Sequence, residues 1–83
     1  MGGTDKGTTK RQVEFGARVK GRREELGLSQ EALALRAGIN RTYIASLESG
    51  RRNPSLDLIC RLARGLDIDA AELVEGLQAV KGR

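Results

Sequence analysis

The stretch Ser29-Gln-Glu-Ala-Leu-Ala-Leu-Arg-Ala-Gly-Ile-Asn-Arg-Thr-Tyr-Ile-Ala-Ser-Leu-Glu48 decides the fold. It reads as two short helices joined by a tight turn. Ser29 can open the first helix, because its hydroxyl accepts one of the N–H groups that a first turn leaves free. Leu33, Ala34 and Ala37 then share one face. Gly38 stands where that helix must stop, since glycine enters the left-handed conformation without a Cβ clash. Asn40 can cap a second helix whose inward positions are Ile44 and Leu47. The outward positions carry Arg41, Thr42 and Ser46, side chains able to bond base edges. Ala34 is small where a crossing helix needs close approach. The joint pattern, rather than any one residue, is that of a helix-turn-helix.

Before this pair, Lys10 to Leu26 forms a first helix, with Phe15, Val19 and Leu26 on one stripe. Gly27 ends it, and Arg18, Lys20, Arg22 and Arg23 crowd its middle, most of them expected in solvent. Residues 1–9 are rich in Gly and Thr and read as a disordered arm. Residues 10–83 then form one helix-turn-helix domain, the motif itself spanning about 29–49. Past the pair, Gly50 and Pro54 break the chain and Ser55 caps a fourth helix, about Leu56 to Leu66. Arg51, Arg52 and Asn53 therefore lie on a short stiff loop at the end of the outward helix, a placement suited to phosphate. A fifth helix, about 69–80, opens at Asp69, which with Glu72 resembles a capping box. Leu73 packs inward, and Val74, Leu77 and Val80 are expected as a partly exposed seam for a homodimer.

Composition narrows the function. Eighty-three residues with two aromatic side chains, Phe15 and Tyr43, make a small all-α domain with an aliphatic core. From Lys10 to Arg64, twelve Lys/Arg stand against six Asp/Glu, while Gly65 to Arg83 carries two against four. The basic excess thus coincides with the helix pair and suits a polyanion. No apolar run approaches the roughly 20 residues of a bilayer span, so no membrane partner is expected and the cytoplasm is the expected location. The single Cys60, flanked by apolar residues, is expected as a small buried hydrophobe, and no His is present to complete a metal set. No cofactor, metal or small-molecule site is expected. An enzyme is excluded on the same grounds: no His, no Gly-rich phosphate loop and no converging carboxylates.

Phe15-Gly-Ala-Arg-Val19, Arg23, Leu26-Gly-Leu-Ser-Gln30, Leu33-Ala34, Ala37-Gly38, Tyr43-Ile44, Leu47-Glu48, Gly50 and Asn53-Pro-Ser-Leu56 together resemble the phage-repressor-like (Cro/C1, XRE) helix-turn-helix family. The resemblance covers about residues 14–77 and implies a five-helix, lambda-repressor-like domain that binds operator DNA as a dimer. Within that family, Arg41 to Leu56 is similar to the controller (C) proteins of restriction–modification systems. The resemblance implies base contacts from Arg41, Thr42 and Ser46. It implies phosphate contacts from Gln30, Asn40, Tyr43, Arg51, Arg52 and Asn53, and an internal salt bridge between Arg23 and Glu48. Two positions depart from the pattern: Ala32 removes a full capping box, and Ala45 removes one DNA contact. The reading is a sequence-specific transcriptional regulator of double-stranded DNA acting as a homodimer on a pseudo-palindromic operator. The competing reading is an antitoxin-type protein-binding module that also represses its own operon.

Overall fold

A computed structural model describes residues 8–81. Five α-helices follow in order: α1 (Lys10–Glu25), α2 (Gln30–Ala37), α3 (Arg41–Glu48), α4 (Leu56–Gly65) and α5 (Ala70–Val74). A 3-10 turn, Leu77–Ala79, closes the described chain, and no strand occurs among the described residues. Each helix begins on a short polar side chain that accepts a first-turn N–H: Thr9, Ser29, Asn40, Ser55 and Asp69. Thr9, the last residue of the expected arm, instead caps α1, its hydroxyl accepting the Gln12 N–H at 3.1 Å. The rest of that expected arm, residues 1–7, lies outside the described residues.

The helices end by a shared device. The N–H groups of Leu28, Ile39, Arg51 and Ile68 return to the carbonyls of Arg23, Ala34, Ser46 and Ala63, five residues back. That closure needs a left-handed residue just before the donor. Gly38 supplies it after α2 at φ 68°, and Asp67 supplies it after α4 at φ 52°. The core gathers Phe15 and Val19 of α1, Leu33, Ala34 and Ala37 of α2, Ile44 and Leu47 of α3, Leu62 and Ala63 of α4, and Leu66, Leu73 and Leu77 beyond.

Two expectations are corrected here. Cys60 is exposed, not buried. Leu62, Ala63 and Leu66 set the inward face of α4, and two residues before Leu62 is about 200° around the helix. The C-terminal helix also stops early, at Val74, because Gly76 turns left-handed at φ 73°. Val74, Leu77 and Val80 therefore share no helical stripe. Leu77 is 9% exposed and belongs to the monomer core, while Val74 and Val80 are half-buried against it.

The arginines of α1 are also better occupied than expected. Arg18 donates to the carbonyls of Leu73 and Glu75 at 3.1 and 2.7 Å. Arg22 donates to those of Leu66 and Asp67, both at 3.0 Å, and Arg11 to that of Leu77 at 2.9 Å. From α2, Arg36 donates to Gly65 at 2.7 Å. The carbonyls of Gly65, Leu66, Asp67, Leu73 and Glu75 lie in the last turn of a helix or just past it, where intrahelical donors run out. That of Leu77 opens the 3-10 turn and also accepts the Val80 N–H.

Candidate nucleic-acid interface

Helix α3 is anchored on one side and open on the other. Ile44 and Leu47 are fully buried, whereas Arg41 and Thr42 are exposed and Tyr43, Ala45 and Ser46 half-buried. An eight-residue helix of this kind gains little from propensity alone and is held by its packed face. Asn40 caps it, its Oδ1 accepting the Tyr43 N–H at 3.2 Å, which leaves the side-chain amide nitrogen to donate outward. Gly50, at φ 85°, then turns the chain into the Arg51–Asn53 loop, all three residues exposed. Arg52 folds back so that its guanidinium carbon sits 5.3 Å from the centre of the Tyr43 ring, within reach of a cation–π attraction. The structure thus brings Arg41, Thr42, Tyr43, Ser46, Arg51, Arg52 and Asn53 to one element and the loop that follows it.

Behind this face sits a polar node. Arg23 grips Glu48 with two hydrogen bonds, Nε to Oε2 at 2.6 Å and Nη2 to Oε1 at 3.0 Å. Its remaining nitrogen, Nη1, donates to the Leu28 carbonyl at 2.7 Å. The two side chains are 11% and 4% exposed. The Glu48 hydrogen bond, ahead of the opposing cost of burial, holds the Arg23 guanidinium above its ordinary pKa. A raised folded-state value leaves its stabilising share intact below the unfolded value and removes it only as pH climbs past the folded one, so the guanidinium stays charged at any working pH. The Arg23–Glu48 bridge is present where the sequence placed it.

Gln30 is drawn into this node as well: its Nε2 donates inward to Glu48 Oε1 at 3.0 Å, which uses one of its two amide hydrogens. Sequence reading also passed over two supports of the interface. Gln12, 6% exposed, donates to the Gly50 carbonyl at 3.5 Å and ties the loop to α1. Gly16 lets α1 lie directly on the end of α3: a Cβ there would collide with the Leu47 carbonyl oxygen and stand 3.1 Å from that of Glu48. No local pattern marks either role, because both partners are more than thirty residues away.

The charge count changes accordingly. Arg11, Arg18, Arg22, Arg23 and Arg36 are engaged with the protein itself, so the basic excess of residues 10–64 overstates what is presented to a polyanion. At the α3 end the presented cations are Arg41, Arg51 and Arg52. Among the described residues no group of three or more His, Cys, Asp or Glu side chains could hold a metal ion, and no helix is long and apolar enough to cross a membrane.

Comparison with known proteins agrees with this geometry. The helix-turn-helix family HTH_3 matches residues 19–73. The control protein C.MunI of Mycoplasma sp is 37% identical over 68 residues, covering 81% of this chain and 92% of its own length. The control protein C.BamHI of Bacillus amyloliquefaciens is 37% identical over 62 residues, covering 74% and 76%. Among solved structures, the restriction–modification controller protein C.AhdI of Aeromonas hydrophila superposes with a TM-score of 0.73 at 47% identity, covering 75% of this chain and 94% of that one. With an outward helix, a cationic loop and this set of relatives, the chain belongs to the Cro/C1-type (XRE) helix-turn-helix family of DNA-binding transcription regulators.

Proposed function

We propose that this protein is a controller-type regulator of a restriction–modification system, acting in the cytoplasm as a homodimer on a pseudo-palindromic operator and carrying no enzymatic activity. The observation that carries the reading is α3, whose exposed Arg41 and Thr42 face away from a sealed core beside the Arg51–Asn53 loop. Arg41 reads guanine through N7 and O6, with Thr42 and Ser46 adding a base or thymine-methyl contact. Asn40, Tyr43, Arg51, Arg52 and Asn53 bond phosphates and set the register. The similarity to C.AhdI, C.MunI and C.BamHI supports the controller assignment.

Two subunits place their α3 helices in successive major grooves, about 34 Å apart. The dimer contact expected at Val74, Leu77 and Val80 is assigned to a groove that two of these residues, Val74 and Leu77, help to line. An apolar groove of about 240 Å³ runs between α1, α4 and α5, lined by Phe15, Pro54, Ile59, Val74 and Leu77. Leu56 on α4 is 78% exposed. An exposed apolar side chain and an apolar groove give a two-fold contact surface to bury, the same patch being used on both subunits.

Footprinting of purified protein on the DNA upstream of its own gene tests the reading. Protection of two half-sites one helical turn apart, in a locus that also encodes a methyltransferase and an endonuclease, is the expected result. Arg41→Ala should cost about 1–3 kcal/mol of operator affinity and relax preference at one position per half-site. Equal weakening on every sequence would remove Arg41 from base reading.

A further inference from the structure

We infer that Gln30 is a positioning residue for DNA reading: through Glu48 it sets the angle of α3 against α2, and with it the place of Arg41. The inference rests on the base-reading role of Arg41 given above. Gln30 is the first residue of α2 and Glu48 the last of α3. Their contact, Nε2 to Oε1 at 3.0 Å, is the one side-chain hydrogen bond joining these two helices among the described residues. Everything else on the Glu48 carboxylate comes from α1, through Arg23. Arg23 in turn holds the Leu28 carbonyl, one residue before the Ser29 cap of α2.

The carboxylate is therefore a joint on which α1, the start of α2 and the end of α3 meet. Its side chain is 4% exposed, so water is a poor substitute for a lost partner. An ionised carboxylate offers about four acceptor positions, and Arg23 fills two. Gln30 takes a further one from the direction of α2. Arg23 alone fixes α3 to α1 but leaves its tilt relative to α2 to packing.

The lever is long enough to matter. Arg41 lies seven residues from Glu48, about 10 Å along the helix at about 1.5 Å per residue. A tilt of about 10° about the Glu48 end shifts Arg41 by roughly 2 Å, beyond the roughly 0.5 Å tolerance of a preorganised contact. A phosphate contact from the same side chain would act otherwise, changing affinity for all duplexes alike.

The test uses two duplexes: one selected from a random pool by the wild-type protein, and a scrambled one of equal length. Gln30→Ala, checked as folded by circular dichroism at the assay temperature, is expected to lower the ratio of specific to scrambled affinity about tenfold. Scrambled binding should barely change. In the Gln30→Ala background, Arg41→Ala should cost far less than it does alone, since a misplaced α3 has already lost that contact. Gln30→Lys, which restores a donor to Glu48, should recover most of the ratio. A ratio that stays within about twofold of wild type in Gln30→Ala overturns the inference, as do Gln30 and Arg41 effects that multiply independently within about twofold. Should Arg41→Ala alone leave the ratio unchanged, base reading by Arg41 fails, and the Gln30→Ala ratio by itself decides the positioning role.

Discussion

The two halves of this domain are both stitched by arginines, yet they are stitched differently. On the α1–α2–α3 side, Arg23 meets a carboxylate that is 4% exposed, and Gly16 lets two backbones touch. On the α4–α5 side, Arg11, Arg18, Arg22 and Arg36 meet carbonyl oxygens at helix ends, in partly exposed settings that water can enter. A buried ion pair fails as a whole when one partner goes, because the other charge is stranded. A carbonyl hydrogen bond at the surface is exchanged for one to water at modest cost. The α1–α2–α3 half is therefore expected to break cooperatively and the C-terminal half to loosen by degrees.

The largest expected effect is at Glu48. Glu48→Ala should lower the unfolding free energy by about 3–5 kcal/mol in urea titration, since Arg23 is left charged and only partly solvated. A loss under about 1 kcal/mol would put the pair on the same footing as the surface arginines and erase the contrast. Gly16→Ala comes next. Alanine favours a helix interior by about 1 kcal/mol over glycine, yet here the new methyl meets the Leu47 carbonyl. A net destabilisation of about 1–3 kcal/mol should follow, while Gly21→Ala, with nothing within 4 Å of its Cβ, should stabilise. Equal behaviour of the two glycines would mean that α1 and α3 do not touch as closely as described.

Arg18→Ala should cost about 1 kcal/mol or less. By amide hydrogen exchange the loss should appear at α5 and the 3-10 turn and leave α3 protected. Acceleration that spreads through α3 would show that the halves are one cooperative unit. The smallest effect is at Asp67, the one left-handed residue other than glycine among the described residues. Asp67→Gly should raise thermal stability by a few tenths of a kcal/mol, because it relieves a Cβ clash at a helix end. A drop in midpoint temperature would instead credit the Asp67 side chain with a contact of its own.

How far the sequence carried depends on how far apart the interacting residues lie. Ser29, Gly38, Asn40 and Ser55 act on backbone within a few residues of themselves, so the helix pair and its caps were readable from the string. The face of α3 followed from helical periodicity, which set Thr42 and Ser46 opposite Ile44 and Leu47, while Arg41 is exposed at the first position of the helix. Cys60 was misplaced because apolar neighbours in sequence say nothing of helical phase, which here turns it to solvent. The C-terminal seam failed at Gly76, one residue able to end a helix that the apolar spacing alone would continue.

What the sequence determined by itself was local: where helices start and stop, and which side chains each turns outward. What only the tertiary structure decided was partnership. Arg18, Arg22 and Arg23 stand within six positions of one another in α1, yet two bind the ends of distant helices and one closes on Glu48. Gln30, a surface amide by composition, is drawn onto the same carboxylate. A long polar side chain reaches several candidates at nearly equal local cost, and only the packing of the helices fixes which one stands within about 3 Å.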